Sequence, residues 1–263
     1  MSGYCEFAEV YDRLMSDVPY GERAAYLARL FKKHDRMPRL LLDVACGTGN
    51  FSLAFARMGA EVIGADPSAE MLAAAREKAA ASGQDILFLC QPAEELDLYG
   101  TVDGAICCLD SLNHIPDYED FCAALARVTL FLETGRLFIF DLNTIYKHET
   151  VLADHIFIIE QNGVYCVWQN ETDRQTHTTD ILLDFFVEEN GVYRRGTDAF
   201  CERAYSPEAV EEAIRRAGLE TVAVYDDMTE AAPGEKAERV VYVTRKTAET
   251  LSCGKETDFL RRF

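Results

Sequence analysis

Short apolar runs alternate with helix-forming stretches from residue 40 to residue 141. Leu40–Val44, Glu61–Ala65, Ile86–Cys90, Gly104–Cys108 and Arg136–Asp141 read as buried strands, each a brief apolar block next to turn or breaker residues. Between them, residues 51–58 predict a helix that Gly59 stops, and Pro67 opens a second, alanine-rich helix over 68–82 that ends at Gly83. A third helix is expected over about 117–131. Two more, 5–15 and 21–33, precede the first strand and are broken near Pro19. This βαβ alternation predicts a parallel sheet with helices on both faces. Right-handed crossovers then collect the turns Asp43–Gly49, Asp66, Gln91–Ala93, Leu109–His114 and Asp141–Thr144 along one sheet edge, where open α/β sheets bind ligands.

After residue 150 the period changes. HIFIIEQ, VYCVWQN, DILLDFFVE and VYRRGTDAF are rich in β-branched and aromatic residues, and Asn162-Gly163 and Asn190-Gly191 are strong hairpin signals. Residues 151–204 are therefore expected to form a small antiparallel β-sheet inserted in the α/β chain. The α/β pattern resumes with Ser206 as a helix cap and Pro207 in the first turn, and that helix ends at Gly218. Strands near 220–226 and 239–244 complete a domain of residues 1–246, and the polar segment 247–263 reads as a peripheral tail.

Composition narrows the function. The chain of 263 residues carries a net charge of −19, which disfavours nucleic acid as a partner. Arg194-Arg195 and Arg215-Arg216 read as solvated surface. No apolar run is long enough to span a bilayer, and the N-terminus lacks a basic signal region. Nine cysteines without a C-x-x-C pair fit reduced thiols in a cytoplasmic protein, and no metal is expected.

The candidate chemistry centres on LLLDVACGTGN. Glycines 47 and 49 allow close backbone approach to a ligand, and Asp66, about twenty residues on, has the spacing of a ribose-binding carboxylate. Ser52 stands where a dinucleotide turn wants a third glycine, and Asp43 suits a ligand bearing an ammonium or sulfonium group.

DVACGTGN followed by GADPSAEML resembles motifs I and II of class I S-adenosylmethionine-dependent methyltransferases. The similarity continues through LCQPAEELDL, AICCLDSLNHI and SPEAVEEAIRRAGLETVAVYDD, and FAEVYDRLMSDVPY resembles a bacterial subgroup whose Tyr-Asp helix closes over the cofactor. The resemblance implies a Rossmann-like seven-stranded sheet with helices on both faces, and an inserted antiparallel lid. It implies that Asp43, Ala45, Gly47, Thr48 and Gly49 surround the methionine part of S-adenosylmethionine. Asp66 would take the ribose, and Pro67, Met71, Pro92 and Ala93 the adenine. Leu109 and Asp110 would line the methionine side, with Tyr11 as a cap. Ala45 replaces a glycine, tolerable if its φ is negative, and Pro92 stands where an Asp often meets the adenine amino group.

His114 and Asn113 are candidates for substrate contact, with Asn143 and Tyr146 weaker. Tyr20 is either core or a cofactor-side aromatic. Trp168, Tyr165 and Tyr193 would be sheet core or a wall of the acceptor pocket. The expected activity is methyl transfer to a small-molecule acceptor such as an amine, with homodimer formation left open. RNA or protein methylation, an NAD-dependent oxidoreductase and a non-catalytic cofactor-binding module are the alternatives.

Overall fold

The computed structural model describes residues 4–247, so the expected tail beyond Thr247 lies outside the described residues. Two helices, α1 (Tyr4–Leu14) and α2 (Tyr20–His34), precede an alternating core of β1 (Leu40–Val44), α3 (Asn50–Arg57), β2 (Glu61–Asp66), α4 (Ala69–Ala81), β3 (Leu87–Cys90), β4 (Gly104–Cys107), α5 (Tyr118–Phe131) and β5 (Leu137–Asn143). Strands β6 (Ile156–Gln161), β7 (Val164–Asp173), β8 (Thr178–Glu189) and β9 (Val192–Arg203) follow, and α6 (Pro207–Arg216), β10 (Leu219–Asp226) and β11 (Arg239–Lys246) finish the core.

The main sheet has seven strands in the order β10-β11-β5-β4-β1-β2-β3. Every described pairing is parallel except those of β11, which runs antiparallel between β5 and β10. Both faces are buried, and the strand sequences say why. Leu42, Ala105, Cys107, Phe138 and Phe140 pack beneath α5 and α6, while the alternate residues Leu41, Ile106, Leu137 and Ile139 pack beneath α2 and α3. A strand buried on both sides has to be apolar throughout. The helices start where the sequence offers caps: Ser68 Oγ accepts the Met71 amide at 3.1 Å, and Ser206 Oγ accepts that of Ala209 at 3.2 Å.

The inserted segment forms a separate antiparallel sheet in the order β6-β7-β8-β9. Both Asn-Gly pairs are two-residue turns with positive φ at each position, 50° and 73° at Asn162-Gly163 and 54° and 80° at Asn190-Gly191. That conformation matches the right-handed strand twist. The inner face of this sheet buries Val164, Cys166, Ile181, Leu183 and Phe185 against Phe7, Val10 and Leu14 of α1 and Met71 of α4. Helix α1 thus lies between the inserted sheet and the core.

The three aromatics read from this segment separate. Tyr193 is largely exposed and so is not sheet core, because Val192 and Tyr193 follow directly on the turn at the sheet's end; with Tyr165 and Phe186 it lines an open groove there. Tyr165 sits on the outward face opposite Phe186. Trp168 is half-buried on the inner face and donates from Nε1 to Asn170 Oδ1 at 2.6 Å. The arginine doublets lie at the surface: Arg195 pairs with Asp184, and Arg216 with Glu119.

Candidate active site

The turn after β1 is held from below by its neighbours. Gly47 donates its amide to Asp66 Oδ2 at 2.8 Å, and Ser68 donates to Oδ1 at 2.9 Å, so the carboxylate ending β2 is oriented by two backbone bonds. Burial still raises the Asp66 pKa above its ordinary value. Asp43 is buried and accepts a hydrogen bond from Ser52 Oγ at 2.5 Å. Burial pushes its carboxyl up to about 7.

Ala45 departs from expectation: its φ is +53°, not negative. The left-handed conformation brings Cβ close to the carbonyl oxygen and costs an L-residue roughly 1–2 kcal/mol. The turn keeps its shape because Cys46 donates its amide to the Ala65 carbonyl at 3.0 Å and Gly49 donates to that of Cys46 at 2.9 Å. Gly47 and Gly49 do different work. A Cβ on Gly47 would meet nothing within 4 Å, whereas one on Gly49 would stand 3.0 Å from Ala75 Cβ and 3.2 Å from the Phe88 ring. Gly47 faces open space; Gly49 lets α3 pack against α4 and β3.

A narrow cavity lies over this turn. Tyr11, Asp43, Ala45, Gly47, Thr48 and Leu109, all expected at the cofactor, line it together. Tyr20 joins them and so is a cavity residue, its ring edge-on to Phe51 at 5.4 Å and its hydroxyl buried without a hydrogen-bond partner among the described residues. Cys46, Asn50, Cys108 and Ser111 also line it and were missed, since they carry no motif of their own. Asp66 sits behind Gly47, Pro67 is exposed, and Pro92 and Ala93 form the turn after β3. Met71 packs into the cluster shared by α1 and the inserted sheet.

Sequence reasoning also passed over Asp12 as a site residue. Its carboxylate accepts from Thr48 Oγ1 at 2.7 Å, Asn50 Nδ2 at 3.0 Å and Lys78 Nζ at 2.7 Å. Burial opposes ionisation, but these donors prevail and hold its pKa below the ordinary value. Helix α1 is thereby fastened over the glycine turn.

On the other side of the cavity, Leu109 and Asp110 have φ of 58° and 54°. Their amides donate to Asp141 at 2.9 and 2.7 Å, and Arg239 bridges the two acids, 2.6 Å from Asp141 and 3.1 Å from Asp110. Burial alone would raise Asp110; the Arg239 charge brings it down to about 2. Asn143 also donates to Asp110, and Lys147 donates to Asn143 Oδ1 at 3.0 Å. Tyr146 is half-buried, just ahead of the π-helical turn Lys147–Leu152.

Asn113 and His114 part company. Asn113 is fully buried, donates to the Asn143 and Arg203 carbonyls at 3.2 and 2.8 Å, and accepts the Asn143 amide at 2.9 Å. Its amide group ties β5 to β9, which corrects the expectation that it meets a substrate. The His114 ring packs at a tilt against Phe200 of β9, 4.9 Å between ring centres, and its Nε2 is 3.4 Å from Glu202 Oε1. Its Nδ1 is buried without a partner among the described residues, and burial lowers its pKa. His114 is the sequence candidate that the fold brings to face the inserted sheet. No group of three or more His, Cys, Asp or Glu that could hold a metal ion occurs among the described residues.

A glycine-turn cavity at the carboxyl edge of a seven-stranded sheet with one antiparallel strand defines a Rossmann-like methyltransferase. Residues 41–130 match the family model described as a methyltransferase domain. YqeM of Bacillus subtilis (strain 168), whose name assigns it to the methyltransferases, is 30% identical over 250 residues, covering 95% of this chain and 99% of that protein. The chain belongs to the S-adenosylmethionine-dependent methyltransferase family. A crystal structure of an S-adenosylmethionine-dependent methyltransferase from Clostridium acetobutylicum superimposes with a TM-score of 0.85 at 28% identity, over 93% of this chain and 99% of that one. The amino pentose methyltransferase CalS10 from Micromonospora echinaspora, solved with S-adenosylmethionine bound, shares the fold at a TM-score of 0.73 and 20% identity, over 92% of this chain and 97% of that one.

S-Adenosylmethionine is the cofactor, and the residues present fit it. The open space in front of Gly47, the partnerless Tyr20 hydroxyl and the Asp43 carboxyl, which ionises readily once a cation stands beside it, suit a ligand with polar edges and positive charge. No described helix is long and apolar enough to cross a membrane.

Proposed function

We propose that the enzyme methylates a small molecule held between the inserted sheet and the Leu109–His114 turn. The observation that carries this reading is the meeting of His114 with the inward face of β9, on the turn whose Leu109 lines the cofactor cavity. S-Adenosylmethionine supplies a methyl group on a cationic sulfur. The chain's own part is to position and to exclude water. Asp66, oriented by the Gly47 amide, would hold the ribose side, Asp43 would face the positive charge, and Tyr11 and Tyr20 line the cavity from the N-terminal helices. His114, with Nδ1 unpartnered, is placed to accept a proton from the acceptor.

The charge of −19 argues for a small acceptor rather than RNA, and the cytoplasm is the proposed location, since all seven described cysteines are free. The test is calorimetric titration with S-adenosylhomocysteine, followed by methyl transfer from labelled S-adenosylmethionine to a panel of amines, phenols and carboxylates. Binding with turnover of a small acceptor is the expected result. Binding to RNA that weakens steeply with salt, together with its methylation, would replace this reading with the RNA one.

A further inference from the structure

Asp198, Phe200 and Glu202 alternate along β9 and point to the inner side of the sheet, toward His114. Both acids are buried, 3% and 4% exposed, and both retain an oxygen without a hydrogen bond among the described residues: Asp198 Oδ2 and Glu202 Oε2. Two histidines face Glu202, His114 Nε2 at 3.4 Å and His148 Nε2 at 3.5 Å, each beyond a good hydrogen bond.

Two cations whose charge reaches Glu202 are hydrogen-bonded to other groups. Arg239 bridges Asp110 and Asp141, and Lys147 donates to Asn143. Both histidines are kept toward the neutral form by burial. The charged and titratable groups facing this spot are therefore Asp110, His114 and Asp66 from the core edge, Lys147 and His148 from the π-helical turn, Arg239 from β11, and the two β9 acids. Acids outnumber cations here. Burial raises Asp198 to about 6 and Glu202 to about 8. Carboxyls so placed hold protons until a cation arrives.

We propose that the acceptor is an amine, bound as its ammonium ion on the inner face of β9 in the field of Asp198 and Glu202, with His114 as the group that takes its proton. The inference rests on the acceptor pocket proposed above. With the Nε2 proton of His114 directed at Glu202, the Nδ1 lone pair is left to receive one proton from the ammonium nitrogen. The freed lone pair of the amine forms the new carbon–nitrogen bond as the carbon–sulfur bond breaks, and that electron pair stays on sulfur. S-Adenosylhomocysteine, the methylated ammonium ion and one proton, carried on His114, are the products. A carboxylate or phosphate acceptor would be repelled by the same acids.

The experiment titrates enzyme saturated with S-adenosylhomocysteine with a graded series of primary amines, from propylamine through benzylamine and glucosamine to spermidine, beside the alcohols and carboxylates of matching shape. Asp198→Asn and Glu202→Gln are compared with the parent, and the thermal midpoint of each unliganded protein is recorded. The expected result is amine binding in preference to matched alcohols. Each substitution should weaken it about thirtyfold or more while S-adenosylhomocysteine binds unchanged and the midpoint holds or rises. The inference is overturned if no amine of the series outbinds its alcohol. It is equally overturned if the substitutions lower the midpoint without touching amine binding, which would make the acids structural. Failure of S-adenosylhomocysteine itself to bind would instead sink the methyltransferase pocket, and methylation of alcohols or carboxylates alone would sink only the amine.

Discussion

Arg13 and Asn162 stand 149 positions apart and grip each other's backbone: Arg13 Nε and Nη2 donate to the Asn162 carbonyl at 2.9 and 2.5 Å, and Asn162 Nδ2 donates to the Arg13 carbonyl at 3.0 Å. The residue before Arg13 is Asp12, which holds Thr48 and Asn50 of the glycine turn. Two consecutive residues of α1 therefore connect the inserted sheet to the cofactor turn.

Arg13→Ala should cost less than about 1 kcal/mol of stability, because the contact is exposed. It should nevertheless weaken S-adenosylhomocysteine binding about fivefold through the strap. Calorimetry beside urea denaturation checks both; unchanged affinity would mean that α1 is held by Asp12 alone.

Asp12→Ala removes three side-chain partners at once and leaves Lys78 facing Asn50. A loss of roughly tenfold or more in cofactor affinity is expected, since hydrogen bonds to charged groups are worth about 1.5–3 kcal/mol each. The readout is the dissociation constant for S-adenosylhomocysteine.

Ala45→Gly relieves a side chain held at φ +53°. The relief of roughly 1–2 kcal/mol exceeds the backbone entropy that glycine adds, about 0.5–1 kcal/mol. The thermal midpoint should rise by about 1–3 °C. A fall would show that the methyl group contributes packing that outweighs the strain.

Unliganded stability should depend on pH through Asp43. Its folded pKa of about 7 lies above the ordinary 3.8, so the native state keeps a proton that the unfolded chain releases. Stability is then full below pH 3.8 for this group and is lost as pH rises toward about 7. Asp198 and Glu202 act in the same direction, the latter up to about 8. Urea midpoints at pH 5 and pH 8 should show the decline, and Asp43→Asn should flatten its share.

Asn113→Ala should destabilise by about 2 kcal/mol or more, because it strands the buried Asn143 amide and the carbonyls of Asn143 and Arg203. Retention of parental stability, with activity lost, would return Asn113 to the role of substrate contact.

Leucines 40–42, the Gly59 and Gly83 stops, the Asn-Gly turns and the Ser206-Pro207 cap each act over a few residues, so the order and type of the elements could be read along the chain. The shared sheet edge followed from crossover handedness, which brought Gly47, Asp43, Asp66 and Leu109 into one reading before any coordinates. Two expectations failed where distant neighbours intervene. Asn113 is consumed by Asn143 and Arg203. The φ of Ala45 is set by a turn anchored on β2.

Local propensity and hydrophobic period are properties of neighbouring residues, and they carried the α/β architecture and the inserted sheet, while the resemblance of DVACGTGN and GADPSAEML to methyltransferase motifs carried the cofactor turn. Charge pairing and side-chain burial depend on residues brought from afar. Arg239 reaches Asp110 across 129 positions, and β9 sets Asp198 and Glu202 before His114. Which acids are neutralised and which are left facing the pocket was decided only when the chain folded.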